Sequence, residues 1–411
     1  MNDDDPWLLR ARHLDATDPL AGYRQRFEGH DNPAIPAYLD GNSLGRPLTA
    51  TMERLTTFVR EEWAGKLIRG WDDGWLELPG QVGDTLGRVA LGAAPGQCII
   101  ADSTSVLLYK LGRAALEARP GRTEIVLDRD NFPTDRFIME GIARDRGLRL
   151  RWIDVAYDGG ATAAGVAAAV GPDTALVVLS HVAYRSAHIA DVQRITEVVH
   201  QSGALALWDL SHSVGSVPVE LDDWDVDYAV GCSYKYLNGG PGAPAWAYVA
   251  ERHLAGFEQP IHGWLGSANP FAMGAAYEPA EGIRRIVSGT PPIVGMLAVQ
   301  DMLGLLAEVG LDAVRRKSMA LTAFAVDAVE SLMGEAGVVI ASPRDPDLRG
   351  SHITIDHPAF AGLLPGLWAE GIIPDYRNPN GLRLGLSPLS TSFEETYTGI
   401  RAIADRLPRG D

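Results

Sequence analysis

The chain has 411 residues, 46% of them apolar and 22% charged, the composition of an ordinary globular protein with room for two domains. A formal net charge of −17 excludes a broad nucleic-acid-binding face, which needs a surplus of basic side chains. There is no apolar run of about 18 residues, so no membrane-spanning helix is expected, and the two distant cysteines, Cys98 and Cys232, make neither a disulfide framework nor a metal cluster.

The opening stretch, MNDDDPWLLRARHLD, is acidic and lacks the apolar segment of a secretion signal, which with the sparse cysteines points to the cytoplasm. The first fifty residues are rich in proline and glycine, without strand–helix alternation. Further on, QCIIADST predicts a strand with a polar exit and SVLLYKLGRAALEARP the helix after it. EIVLDRDNFPTD, LRLRWIDVAYD, TALVVLSHV, GALALWDLSHS, DYAVGCSYK and PAWAYVAERH each predict a strand, and ITEVVHQSG a helix closed by glycine. GGATAAGVAAAVG reads as a surface loop and an alanine-rich helix. From about Pro292 the chain turns helical, and GSHITIDH, FAGLLPGLWAEG and GLRLGLS then predict strand, helix and strand.

Near-continuous apolar strands alternating with helices imply an α/β fold whose mainly parallel sheet is sandwiched by helices. The expected spans are an N-terminal segment over 1–50 that packs with a small domain, a large domain over 51–300, and a small C-terminal α/β domain over 301–411, joined by a long helix. Open sheets of this kind bind ligands at the strand exits, where the polar residues fall.

Two of those exits carry Asp209 and Lys235. Lys235 sits between two tyrosines, ahead of a glycine- and proline-rich turn, in 231-GCSYKYLNGGPGAPAWAYV-249. Pyridoxal 5′-phosphate needs such a pair: a lysine to bond its aldehyde and a carboxylate to keep its ring nitrogen protonated. Its phosphate needs hydroxyls and N–H groups at a helix start, as ADSTSV offers with Ser103, Thr104 and Ser105. DNFPTD offers Phe132 as an aromatic lid and Asp135, set either to bond the ring's oxygen or to support Asp209. His212 is set near the phosphate or behind it. Each also has an ordinary reading, as helix cap, core turn or buried histidine; their order along an alternating chain favours the cofactor.

The segment 38-YLDGNSLGRPL-48, with the Lys235 stretch, resembles kynureninase, a fold-type-I pyridoxal phosphate enzyme related to the class V aminotransferases. DSTSV, FPTD, WDLSHSVGSVPV, GW with PFAM, GTPPI and RNPNGLR follow in the family's order over nearly the whole chain. The resemblance implies that Lys235 bonds the cofactor and moves protons, that Asp209 pairs with the ring nitrogen, and that Phe132 stacks on the ring beside Asp135. It sets Thr104, Ser105, Ser180, His212 and Tyr234 around phosphate and ring, with Tyr234 as a proton donor. It implies a homodimer with shared active sites, in which Trp264 and Thr290 reach the other subunit's phosphate. Arg383 would grip the substrate α-carboxylate through its planar fork, with Trp71, Asn42 and Ser43 bordering the substrate pocket.

The sequence departs from the family pattern at Leu107, Ala183, Ser186–Ala187, Ala190 and Ser267, where polar groups or glycine are usual. The implied reaction is hydrolysis of L-kynurenine or 3-hydroxykynurenine to the anthranilate and L-alanine. The alternative is an enzyme of specialised metabolism, as in lincosamide antibiotic pathways, acting on an S-substituted L-cysteine by β-elimination or decarboxylative oxidative deamination. A non-catalytic binding protein is disfavoured, because binding alone needs no Schiff-base lysine beside Asp209 and Arg383.

Overall fold

The computed structural model describes residues 4–408, so the outermost residues of the first and last expected spans lie outside it. The central sheet is built from β1 (Cys98–Ala101), β2 (Glu124–Asp128), β3 (Arg149–Ile153), β4 (Thr174–Ser180), β5 (Leu205–Asp209), β6 (Tyr228–Gly231) and β7 (Ala245–Val249). Its seven strands run in the order β1-β7-β6-β5-β4-β2-β3. All pairings are parallel except the two made by β7, which is antiparallel to both neighbours. β1, β2, β5, β6 and β7 are buried along their whole length, the burial on both faces that their continuous apolar runs require. β3, at the edge, instead alternates exposed Arg149 and Arg151 with half-buried residues, and charges on an edge discourage pairing with another chain.

Helices follow the strands as the alternation predicts. After β1 comes α1 (Thr104–Glu117), and after β2 comes α2 (Pro133–Arg146), which starts on a proline and ends at Gly147 in the left-handed conformation, φ 65°. The joining element is two helices rather than one. α3 (Ile293–Val309) and α4 (Leu311–Met333) meet at a bend of 89°. Gly310 between them has φ 79°, which side chains disfavour. No single helix among the described residues is long and apolar enough to cross a membrane.

A second, antiparallel sheet follows, from β8 (Val339–Ile340), β9 (His352–Asp356), β10 (Asp375–Arg377) and β11 (Gly381–Gly385), in the order β10-β11-β9-β8. α5 (Phe393–Ala404) packs on α4. The first fifty residues include a helix, Pro6–Thr17, capped by the Asp5 carboxylate and packed on α5. They then run as a strap: Ala37–Tyr38 pairs in parallel with Ile372–Ile373, Asp40 bridges Gly385, and the N–H of Gly45 donates to the carbonyl of Tyr234 at 2.8 Å.

Candidate active site

The exits of β4, β5 and β6 and the starts of α1 and α2 converge on one cleft. Lys235, 8% exposed, reaches into it from the loop after β6. Its Nζ lies 3.2 Å from Nε2 of His212 and 5.9 Å from the centre of the Phe132 ring. Burial first, then the Lys235 charge, hold His212 well below the ordinary imidazole range, so it is neutral.

Asp209 ends β5 and is fixed by the N–H of Ser211, which donates to its Oδ1 at 2.8 Å. Asp135, on the first turn of α2, is 1% exposed, and its Oδ2 has no hydrogen-bond partner. Burial, then the carboxylates of Asp209 and Asp128, raise Asp135 well above the ordinary carboxylate range. Its surroundings thus favour the protonated form of Asp135. Ser180 closes β4 and lines the same cleft, as does Tyr234, whose phenol is pushed up by burial and then by Cys232.

The phosphate end is set by α1. Thr104 and Ser105 open the helix, and its N-cap, Ser103, makes no side-chain capping bond, so first-turn N–H groups face the cleft uncapped. That is the geometry that binds an anion. An aldehyde-reactive lysine, a buried carboxylate at a strand exit, an aromatic side chain and an uncapped helix start in one cleft fit pyridoxal 5′-phosphate.

Arg383, on β11, is 1% exposed. Its Nε donates to Asp375 at 2.7 Å, Nη1 to the carbonyl of Tyr184 at 2.7 Å and Nη2 to Ser43 Oγ at 3.1 Å. It neighbours the cleft through His212, which its charge also lowers. Asn42 lies behind β11 against Gly385, buried, with both amide atoms lacking partners. Trp71, Trp264 and Thr290 stand outside the cleft. Trp71 is half-buried and packs edge-on against Trp75 at 5.5 Å, Trp264 is 43% exposed, and Thr290 is exposed.

The kynureninase C-terminal domain family matches residues 314–403. A kynureninase of Burkholderia pseudomallei (strain 1106a) is 43% identical over 404 residues, 96% of this chain and 94% of that protein. The chain belongs to the kynureninase family. A kynureninase of Pseudomonas fluorescens is 39% identical over 406 residues, again 96% of this chain and 94% of the relative. Among solved structures, a cysteine desulfurase from Thermococcus onnurineus NA1 superposes with a TM-score of 0.81 at 17% identity, covering 94% of this chain and 97% of that one. A C-DES variant with glycine covalently linked to its PLP cofactor gives 0.81 at 20% identity, covering 93% and 99%. At such identities these two share the fold.

The departures from the kynureninase pattern do not line the cleft. Leu107 is fully buried on the core side of α1, among Leu108, Leu111 and Ile125. Ala190 is in the apolar core on the opposite face of the sheet. Ser267 donates to the carbonyl of Trp264 at 2.7 Å in its own loop. Ala183 and Ser186 border a neighbouring narrow cleft with Asp128 and Tyr157. Leu107 and Ala190 are thus core positions, while the cleft bordered by Ala183 shares Ser180 and Tyr184 with the Lys235 cleft.

Other residues join the site without having been singled out. Tyr184 stands edge-on to Phe132 at 5.5 Å, and Thr134 and Ser211 line the cleft. Asn131 is a positioning residue: its Oδ1 accepts from Ser180 Oγ and from the N–H of Phe132, both at 2.8 Å. Thr134 and Asn131 flank Phe132 in the stretch that supplied the lid, so proximity in sequence was their available signal. Asp375 had none, because its importance comes from pairing across the small sheet.

Proposed function

We propose that the chain is a pyridoxal 5′-phosphate-dependent kynureninase, which adds water across the bond between Cβ and the side-chain carbonyl carbon of L-kynurenine or 3-hydroxy-L-kynurenine. The products are anthranilate or 3-hydroxyanthranilate and L-alanine. The observation that carries this reading is the convergence of Lys235 and Asp209 in one cleft, with Arg383 sharing their neighbour His212.

When bound, pyridoxal 5′-phosphate supplies an electron sink for the substrate α-carbon. Lys235 holds it and moves the proton at that carbon. Asp209, backed by the protonated Asp135, keeps the proton on the ring nitrogen. Phe132 would cover the ring, and the start of α1 would hold the phosphate. Arg383 receives the α-carboxylate, exchanging its contacts with Tyr184 and Ser43 for the substrate's oxygens. Tyr234 keeps its phenolic proton at neutral pH and donates it to Cβ as the bond breaks.

The same reading gives a homodimer. Trp264, Phe271 and Met273, at 43%, 52% and 73% exposure, form an apolar surface in the segment that runs on to Thr290, and a second copy would cover it. Ser43, hydrogen-bonded to Arg383, borders the substrate in this reading, whereas Trp71 and Asn42 stand outside the Lys235 cleft. The alternative on S-substituted cysteines draws no support from the kynureninase relatives, which match nearly the whole chain.

The test incubates the enzyme separately with L-kynurenine, 3-hydroxy-L-kynurenine and S-substituted L-cysteines and follows the products by mass spectrometry. Anthranilate or its 3-hydroxy form with alanine, at about 1 per second or faster, is expected. Slow kynurenine turnover beside fast release of a thiol and pyruvate would sink the proposal.

A further inference from the structure

Lys110 is a buried cation outside the chemistry above. It sits two turns into α1 and is 0% exposed. Its Nζ donates to Asp102 Oδ2 at 2.6 Å and to the carbonyl of Ile286 at 2.6 Å. The two acceptors belong to distant parts of the chain.

Asp102 is the residue between β1 and the helix start, and it takes the left-handed conformation at φ 44°, a strained one for a residue with a side chain. Its own carbonyl accepts from Ala245 at 2.9 Å, so the turn is pinned from both sides. Ser103, Thr104 and Ser105 follow directly, so the tilt of this turn sets where the uncapped N–H groups point.

Ile286 ends a short turn, Gly282–Ile286, inside the segment that carries Trp264 and Thr290. That segment is folded tightly on itself. Ser288 Oγ donates to the carbonyl of Ile261 at 2.6 Å, and Arg284 donates to that of Leu265 at 3.2 Å. A Cβ on Gly263 would lie 2.1 Å from the Ser288 carbonyl oxygen, so the backbones touch there. Ile286 and Leu265 also share an apolar cluster with Leu107, Leu108 and Leu111 of α1. Movement of the Ile286 carbonyl therefore carries Trp264 and Thr290 with it.

We propose that Lys110 is a positioning residue that couples cofactor binding at the start of α1 to the segment completing a second copy's cleft. This rests on the shared-site reading of Trp264 and Thr290. An anion held by the N–H groups of α1 fixes the Asp102 turn. Lys110 transmits that restraint to Ile286, and the exposed segment is held in the shape that docks. The coupling is reciprocal, as linkage requires: docking of the segment steadies the turn and tightens the cofactor.

The experiment measures the dimer dissociation constant by sedimentation equilibrium, with and without added pyridoxal 5′-phosphate, for the wild type, Lys110→Met and Asp102→Asn. Methionine keeps the bulk of the lysine stem, and the Asp102 side chain, 25% exposed, can still be hydrated in that variant. The wild type should dimerise about tenfold more tightly with cofactor, within the usual range of coupling between sites. In Lys110→Met that ratio should fall below about twofold, and in Asp102→Asn to an intermediate value. Asp102→Asn, which keeps an acceptor for Lys110, carries the test if the methionine variant does not fold. A dimeric wild type whose ratio persists unchanged in the variants overturns the coupling alone. A wild-type holoenzyme that stays monomeric overturns the shared-site reading and the coupling together.

Discussion

Arg383 and Asp375 form an ion pair inside the protein, Nε to Oδ2 at 2.7 Å, so the arginine set to meet a substrate carboxylate already holds one. Asp375 also pairs with Nη2, so it holds one edge of the guanidinium, while Nη1 reaches the carbonyl of Tyr184 and Nη2 also reaches Ser43 Oγ. Breaking a buried pair by removing one partner costs about 3–5 kcal/mol. Arg383→Ala should therefore raise KM for amino-acid substrates by at least a hundredfold, and leave amines without the carboxylate little changed. Asp375→Asn, which frees the fork without removing it, should raise KM about tenfold, the worth of one charge-assisted hydrogen bond. Steady-state kinetics on both substrate classes checks this. Equal losses for both would assign Arg383 a structural role.

Asp135 supplies a second prediction. Because burial and Asp209 keep it protonated, a neutral amide can stand in for it. Asp135→Asn should retain most of kcat, and Asp135→Ala should lose about tenfold, the effect of one buried donor. Asp209→Ala should lose far more, since it removes the charge that Asp135 supports. An Asp135→Asn variant as damaged as Asp209→Ala in stopped-flow assays would show that Asp135 works as a carboxylate.

The departures from the family pattern can be reversed one at a time. Leu107 is 0% exposed in an apolar cluster, and Leu107→Asn would bury an amide with no partner there. The expected cost is about 3 kcal/mol, from the lost apolar contacts and the unsatisfied amide together. Urea unfolding reads the stability. Assays of the folded fraction should show kcat unchanged. A gain in kcat on restoring asparagine would mean that position 107 addresses the cleft.

A cluster far from the cleft gives stability a pH dependence. His200 Nε2 lies 2.8 Å from Asp227 Oδ2, and this contact, against the pull of burial, raises the imidazole above its ordinary 6.5. Its contribution is complete below 6.5 and is lost as pH rises through the raised value. Asp227 works in the opposite sense. Burial pushes it up, but hydrogen bonds from His200 and His253 outweigh that and hold it well below its ordinary 3.8. Its contribution is present above 3.8 and is lost as pH falls through the lower value. Tm should be highest between roughly pH 4 and 6.5 as far as this cluster is concerned. His200→Gln should flatten the fall on the alkaline side, which calorimetry across the pH range can follow.

Much of this was legible in the sequence because buried parallel strands announce themselves as unbroken apolar runs. Thr174–Ser180 and Leu205–Asp209 are such runs, and they deliver Ser180 and Asp209 to the same edge of the sheet. The antiparallel course of Ala245–Val249 was not legible, since an apolar run carries no direction. Nor were the short strands Val339–Ile340 and Asp375–Arg377, of two and three residues, which are defined by pairing. In the sequence only a glycine marks the break at Gly310. In the site, residues that act through their own chemistry could be named. Asp375, which acts by orienting another residue across the small sheet, could not.

The strap before residue 50 touches both halves of the catalytic apparatus. A Cβ on Gly45 would lie 2.4 Å from the carbonyl oxygen of Lys235, and four residues earlier a Cβ on Gly41 would lie 2.1 Å from Ser387 Oγ. The lysine loop and the turn after the arginine strand are thus buttoned to one short length of backbone. The two sheets cannot come apart while that length stays docked, so thermal melting should proceed as a single cooperative transition. A protease that nicks the strap should split it into two.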